Sequence, residues 1–584
     1  MLLTAAPEQN ISLMLLEGGL TAIAIAASFA WPRLGNSWFA GIERAFGRLA
    51  RRQGWAVVAV GIATFLLRLA LLPFCRMPLP FAPDDFSFLL AADTFAHGRL
   101  ANPTPAMWVH FETIHVSMQP SYTSMYFPGQ GLLMAAGQVF FGNPWYAILI
   151  CSALMCAALC WMLQAWLPPN WALLGGCIAM IRIGLFSYWT NTFHAAGSLA
   201  ALGGALVLGA LPRLMKTARL RYGLLMGIGM AILVLTRPYE GMLLCLPVAV
   251  VLIRWLWKQR HIHTSTLRMR LIAAPLIMVI VAGAWMAYYD YKAFGNPLTP
   301  PYSVNRMQYA IAPYYVWQKA RPEPAYRYPE MRNFYYKGEM DYYTHIHSLT
   351  GFLPHTLTKI AIPTLVFFSG VVFLFPLIMV RRVFLDRRIR FLVAGVLILA
   401  AGMVIEIYLL PHYLAVYTAA FYAIGLQMMR HLRLWKPERK PVGLALVRFS
   451  VTLCVVLAAV RVFAAPLHFA TNEWPPSSWN FTWYGPEQFG GERARIEAQL
   501  DRLSGGQLVI VHYSPKHNPF DEWVYNSADI DDSKVVWARE MDADDNLKLI
   551  RYYKNRTVWL AEPDQTPARI TPYGSPEQQT VAAH

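Results

Sequence analysis

WAVVAVGIATFLLRLALLPFC-RMPLP-FAPDDFSFLLAADTFAHG, residues 55–98, is the stretch on which the fold turns. Residues 55–75 carry a single charge, Arg68, in an otherwise apolar run. Such a run is long enough to cross the hydrocarbon core of a bilayer as a helix. The segment RMPLP ends it, and the chain then reads as a second, shorter helix. Asp84 follows a proline and reads as its N-cap, with Gly98 as its C-cap. Apolar residues cover most of its circumference between those caps, which predicts a helix lying on the membrane surface. Asp84 and Asp85 stand at its start, just beyond the span.

Working outward, runs of the first kind recur. Candidate spans cover about 11–31, 55–75, 144–166, 171–190, 196–212, 222–236, 239–257, 271–290, 357–380, 390–410, 412–429 and 442–464. The chain is 56% hydrophobic and 14% charged, against about 25% charged in soluble domains. Its mean hydropathy is +0.36. Residues 11–31 follow an acidic residue and no basic segment, which predicts a retained helix and not a cleavable leader. The formal net charge of +17 falls in short clusters between the apolar runs. These are Arg33/Arg44/Arg48/Arg51/Arg52, Arg213/Lys216/Arg219/Arg221, Lys258/Arg260/Arg268/Arg270, Arg381/Arg382/Arg387/Arg388/Arg390 and Arg430/Arg433/Lys436/Arg439/Lys440. With twelve alternating spans every cluster lands on one side, the positive-inside pattern of a cytoplasmic face. No basic face with interleaved aromatics appears, which argues against nucleic acid as a partner. The seven cysteines lie in or beside apolar runs with no CxxC, so neither a disulfide framework nor a zinc site is expected.

The expected fold is an all-α polytopic membrane protein of about twelve transmembrane helices with a small C-terminal α/β domain. Residues 1–54 form an added N-terminal span and basic cytoplasmic segment, and 55–464 the transmembrane core. Residues 465–584 form an extracytoplasmic soluble domain. Large outer loops cover 76–143 and 291–355, the first holding a second surface helix at Gln130–Phe141. In the tail, Gln507–Tyr513, Lys534–Ala538 and Thr557–Ala561 read as strands and Asp542–Tyr553 as a helix. Its mixed charge suggests a solvated module. No internal repeat is visible.

Several outer residues carry candidate chemistry. A carboxylate of Asp84 or Asp85 beside the bilayer can take a proton from an acceptor hydroxyl; either also serves simply as a helix cap. His110, Glu112 and His115 lack HExxH spacing, so no metal site is expected, although a divalent metal stays open. Arg237, in the turn Thr236-Arg-Pro-Tyr-Glu-Gly241, can bind a phosphate through two hydrogen bonds or pair structurally with Glu240. Arg182 and Glu406 are ionisable groups at membrane depth, where charge is costly and marks function. His412 and Tyr413 occupy an outer turn, as do Asn191 and His194.

A span, an outer loop opening on an acidic pair, a surface helix and the aromatic-Pro-Gly segment Tyr126-Phe-Pro-Gly together resemble the GT-C superfamily of membrane glycosyltransferases. The likeness is to the bacterial group of aminoarabinose transferases and protein O-mannosyltransferases. The resemblance spans about residues 55–430 in topology, with motif strength only in the first loop. It implies a glycosyltransferase, hexosyl- or pentosyl-, at the outer face of a bacterial inner membrane. The implied partners are a polyprenyl-phosphate sugar donor, a glycan, lipid or protein acceptor, and membrane lipids, with no cofactor. It assigns the catalytic base to Asp84 or Asp85, with Asp85 put first. The family's usual pair is Asp-Glu, so Asp-Asp leaves the choice open. Arg237, His412 and Tyr413, with Arg182, Glu240 and His115, are the candidate substrate and donor-phosphate contacts. A transporter or flippase of a lipid-linked glycan, an O-antigen ligase or polymerase, and a non-catalytic scaffold are the alternative classes. Transporters show internal repeats and midplane sites, whereas polar groups here gather in outer loops.

Overall fold

The computed structural model describes residues 7–463 and 490–574, apart from 195, 260–264, 349, 362–363, 365–366 and 369. The expected domain boundary at 465, and with it the segment 465–489, lies outside the described residues, as does Arg260 of the third basic cluster. Among the described residues six helices are long and apolar enough to cross a membrane. They are Gln53–Ala70, Trp145–Trp166, Gly197–Thr217, Pro238–Lys258, Leu271–Phe294 and Val442–Phe463. Shorter apolar helices cover Leu16–Ala30, Pro169–Leu185, Leu220–Thr236 and Arg390–Val404. Leu276, Ile277, Ile280 and Val281 face outward from the helix Ser265–Phe294. A water-facing surface does not carry a row of that kind, and a lipid-facing one does. The chain is a multi-pass membrane protein.

Three expected spans are interrupted. Residues 357–380 do not form one helix: Phe352–Ala361 is followed by Gly370–Leu374, a 3₁₀ turn at Phe375–Met379 and Val380–Phe384. Pro376 lies in the first turn of that 3₁₀ segment and removes a backbone donor there. The helix Pro169–Ala179 widens into a π-helical turn, Met180–Leu185, and stops before Ser187. Residues 411–417 form a 3₁₀ turn ahead of the helix Thr418–Arg433. The breaks beside Ser187 and at 411–417 meet at one end of the helix bundle, where the Tyr188 hydroxyl reaches His412, whereas that at 375–379 leads to Asp386, which meets Gln427 and His431 toward the other end of Thr418–Arg433.

Residues 76–143 carry both expected loop helices, at Pro83–Ala96 and Pro128–Phe141. Each has proline in its first turn, where a missing N–H costs nothing. Gly129 brings the second helix onto the Arg237 turn: a Cβ there would stand 2.7 Å from the Leu235 carbonyl oxygen. Residues 291–355 fold back over the same end. Val316 N–H donates to the Ile405 carbonyl at 2.9 Å, and Ile407 N–H to Tyr314 at 2.7 Å.

The C-terminal segment forms a four-stranded sheet in the order Val535–Arg539, Gly506–Val511, Arg556–Glu562, Arg569–Pro572. The first three strands are parallel and the last antiparallel. The helix Ala543–Tyr552 connects two of the parallel strands, capped by the Asp542 side chain. The edge strand and the helix Gly491–Leu500 have no counterpart in the sequence expectation. Nor is this segment freely solvated. Leu508, Ile510, Val536 and Ala538 share one apolar core with Phe86, Leu90, Phe111 and Tyr122 of the first loop. Phe86 stacks on Tyr525 at 4.4 Å, Arg99 pairs bidentately with Asp529 at 2.7 Å, and the Tyr525 hydroxyl donates to the Ile114 carbonyl at 3.1 Å.

Candidate functional site

Pro83 fixes the start of the surface helix, so Ala82 takes the N-cap position and not Asp84. The capping carboxylate is that of Asp85. One of its oxygens accepts from the Phe81 and Ala82 N–H groups, both at 3.2 Å. The other accepts from the Phe193 N–H at 2.9 Å and from His194 Nδ1 at 2.8 Å. Asp85 is fully buried, at 0% exposure. Four donors use the lone-pair capacity of the group, leaving no room for a substrate hydroxyl.

Asp84, one residue earlier on the same turn, faces the other way. Its side chain is 26% exposed, with His115 Nδ1 at 2.8 Å. The Tyr126 hydroxyl donates to the same carboxylate oxygen and lies 3.1 Å from His115 Nδ1. His115 adopts a positive φ of 61°. A non-glycine residue held in the left-handed region is strained unless its surroundings impose it. Here the Ser87 hydroxyl grips its carbonyl at 2.7 Å, and its ring meets Tyr126 and Phe334 edge-on.

Burial alone would push the Asp84 carboxyl up, but His115, His194 and Arg237 outweigh it and hold it below its ordinary value. Asp84 is therefore an anion at neutral pH. For His194, burial acts to lower the pKa, while Asp85 and then Asp84 outweigh it and raise the imidazole above its ordinary value. His194 stacks on Tyr188 at 5.8 Å, whose hydroxyl lies 2.8 Å from His412 Nδ1.

Arg237 stands between the helices Leu220–Thr236 and Pro238–Lys258, its side chain 11% exposed. It lies 3.6 Å from Glu240, too long for a hydrogen bond, and over the Tyr413 ring at 4.7 Å. Asp84, Tyr188, Tyr302, Glu406 and His412 all feel its charge. Glu406, singled out in the sequence, is buried next to this group, and Lys359 donates to its backbone carbonyl.

Asp84, Asp85, His115, Arg237, Glu240, His412 and Tyr413 thus come together from four separate chain regions. Arg182 does not join them. It is buried in the bundle, donates to the Phe367 carbonyl at 2.8 Å and neighbours Tyr422 and Cys454. His110 meets the Arg539 carbonyl at 3.2 Å and Glu112 pairs with Arg327, so neither converges with His115. Among the described residues no three His, Cys, Asp or Glu side chains gather as a metal site would need. In the second loop, Arg306 is tied to Glu339 at 2.8 Å, Arg332 to Glu323 at 2.6 Å and Arg321 to two backbone carbonyls. Arg237 is the arginine whose charge acts on Asp84. Tyr188 and Tyr302 carried no sequence signal. Tyr126 had one, as the aromatic two residues before the Pro-Gly pair.

No family model and no curated protein matches the chain. The solved structures to which it is similar include the following three, all at low identity. ArnT from Cupriavidus metallidurans in the apo state is 13% identical with a TM-score of 0.44, over 91% of this chain and 95% of that one. The Archaeoglobus fulgidus oligosaccharyltransferase tethered with an acceptor peptide is 11% identical with a TM-score of 0.42, over 86% and 68%. The oligosaccharyltransferase AglB from the same organism, in complex with an inhibitory peptide and a dolichol-phosphate, is 11% identical with a TM-score of 0.44, over 87% and 69%. Scores this low fix neither the fold nor the chemistry of this chain.

Proposed function

We propose that the chain is a GT-C-type glycosyltransferase that moves a sugar from a polyprenyl-phosphate donor to an acceptor hydroxyl at the outer face of a bacterial inner membrane. In this reading it crosses the membrane about twelve times, with the short and interrupted helices completing the six long ones. Residues 1–54 are an added span and basic segment, 55–464 the transferase core, and the C-terminal sheet an extracytoplasmic domain. The observation that carries the proposal is Asp84: a partly exposed carboxylate kept ionised by His115, His194 and Arg237.

The reaction follows from that geometry. Asp84 accepts the proton of the acceptor hydroxyl as its oxygen bonds to the anomeric carbon. The bond from that carbon to the phosphate oxygen breaks, and the electron pair leaves with the lipid phosphate. A single displacement inverts the anomeric centre. Arg237 supplies fixed positive charge where negative charge grows on the leaving group, with His412 and Tyr413 beside it. Asp85 is assigned a supporting role, orienting His194 and the helix start. His115 and Tyr126 aim the Asp84 carboxylate. Arg182 is assigned to the bundle and not to the donor.

The test is mass spectrometry of surface glycans from cells lacking the gene. A sugar is expected to vanish, to return with the wild-type chain and to stay missing with Asp84→Asn at equal membrane abundance. Restoration by Asp84→Asn would refute the proposal.

A further inference from the structure

Away from the Asp84 centre the two outer loops line an open cavity of about 230 Å³. Its walls include Trp108, Glu112, Gln119, Tyr309, Tyr326 and Arg327. Glu112 is buried; the Tyr309 hydroxyl donates to it at 2.9 Å, and Arg327 reaches both its oxygens at 3.2 Å. The Arg327 guanidinium also lies over the Trp108 ring at 4.6 Å.

We infer that this cavity binds one pyranose residue of the acceptor, so that the acceptor is a glycan. The inference rests on the transferase reading and deepens it. Three features carry it. The first is chemical: a sugar ring offers an apolar C–H face and a rim of vicinal hydroxyls. Aromatic rings beside a planar carboxylate, guanidinium and amide answer both. The second is charge. Glu112 and Arg327 neutralise one another, so an ionic ligand would meet no uncompensated partner, whereas a neutral polyol gives hydrogen bonds to Glu112 and takes them from Arg327. A lysine side chain or a phosphate is disfavoured on the same ground. The third is size: the volume is below the range of about 300–1,000 Å³ for drug-sized ligands and suits a single ring.

Its position matches the role. Tyr309 stacks on Tyr335 at 5.8 Å, and the His115 N–H points to the Tyr335 hydroxyl at 3.5 Å. Phe334 lies 5.1 Å from the His115 ring. One aromatic layer therefore divides the cavity from the His115–Asp84 pair. A sugar anchored in the cavity would present a neighbouring unit of the same glycan to Asp84, with remote binding holding the reacting hydroxyl in place.

The experiment is saturation-transfer NMR on the full chain in nanodiscs. The probes are methyl α-D-glucopyranoside, methyl α-D-mannopyranoside and N-acetylglucosamine, with a neutral tripeptide as comparison. Wild type and Asp84→Asn should both transfer saturation to ring protons of at least one pyranoside. Trp108→Leu and Arg327→Met should each weaken that binding at least fivefold. Arg327 is half-exposed, and Glu112→Gln in the same chain removes the buried charge that Arg327→Met would strand, so that double variant stands in if Trp108→Leu fails to fold. No transfer to any pyranoside, equal transfer in both cavity variants, or transfer to the tripeptide alone overturns the inference. Because Asp84→Asn is expected to bind yet not turn over, loss of the transferase reading would appear in turnover and leave this binding readout intact.

Discussion

Arg237→Ala separates a phosphate-binding arginine from a merely structural one. Arg237 sits 3.6 Å from Glu240, and both Glu240 and Glu406 are buried beside it. Two unit charges near 4 Å interact by about 4 kcal/mol at an effective dielectric of about 20. Removing the cation leaves two neighbouring carboxylates without it, and breaking a buried pair costs about 3–5 kcal/mol. A loss of stability is therefore expected on either view. The double variant Arg237→Ala/Glu240→Gln removes the stranded charge and should recover most of that loss. Affinity for undecaprenyl phosphate should not recover with it. In nanodiscs, binding followed by native mass spectrometry should be at least tenfold weaker in both variants, or about 1.4 kcal/mol. Arg237→Lys should regain only part, since an ammonium does not reproduce a two-point guanidinium contact. If the double variant melts like wild type and binds the lipid phosphate within twofold of wild type, the phosphate role is refuted and Arg237 is a structural partner of Glu240.

Asp85→Asn should lower the thermal stability of the folded chain by about 2 kcal/mol or more, because a neutral amide replaces a charged acceptor of four hydrogen bonds; an unchanged melting temperature would remove its proposed supporting role. The transfer rate should hold steady as pH falls from 7 to about 4.5, since the folded Asp84 carboxyl titrates below its ordinary value and stays an anion down to that point; a rate halved at pH 6 would contradict this. Tyr525→Ala removes the ring stacked on Phe86 and the hydroxyl held by Ile114, so the first loop should become protease-sensitive in the span 81–126 and turnover should fall at least tenfold while membrane insertion is kept.

What was legible in the sequence was what local spacing encodes. The apolar runs marked the long helices, and the acidic pair after a proline marked the loop helix. Arg237 and Glu240, three residues apart, were visible as a pair. What distance in the chain encodes was not legible. Asp85 was placed first as base because it sits just inside the helix. Its saturation depends on Phe193 and His194, the former 108 residues onward. The interruption within 357–380 escaped because a 3₁₀ turn at Pro376 is as apolar as the helix it breaks. The docking of the C-terminal sheet on the first loop escaped because its two faces are nearly equally apolar, so no alternation marks the one that meets Phe86. Arg182 reads as an intramembrane charge, and the structure buries it in the bundle with a hydrogen bond to the Phe367 carbonyl.

The most direct measurement is release of free polyprenyl phosphate from radiolabelled lipid-linked sugar, extracted from the native membrane, by the purified chain in proteoliposomes with native acceptor extract. Wild type should release it and Asp84→Asn should not, by a factor of at least a hundred, consistent with the 10²–10⁴ range for a general base. Asp84→Asn should keep the wild-type melting temperature within a few degrees. Release by Asp84→Asn at near the wild-type rate would contradict the assignment of the base, and absence of release by wild type under the same conditions would contradict the transferase itself.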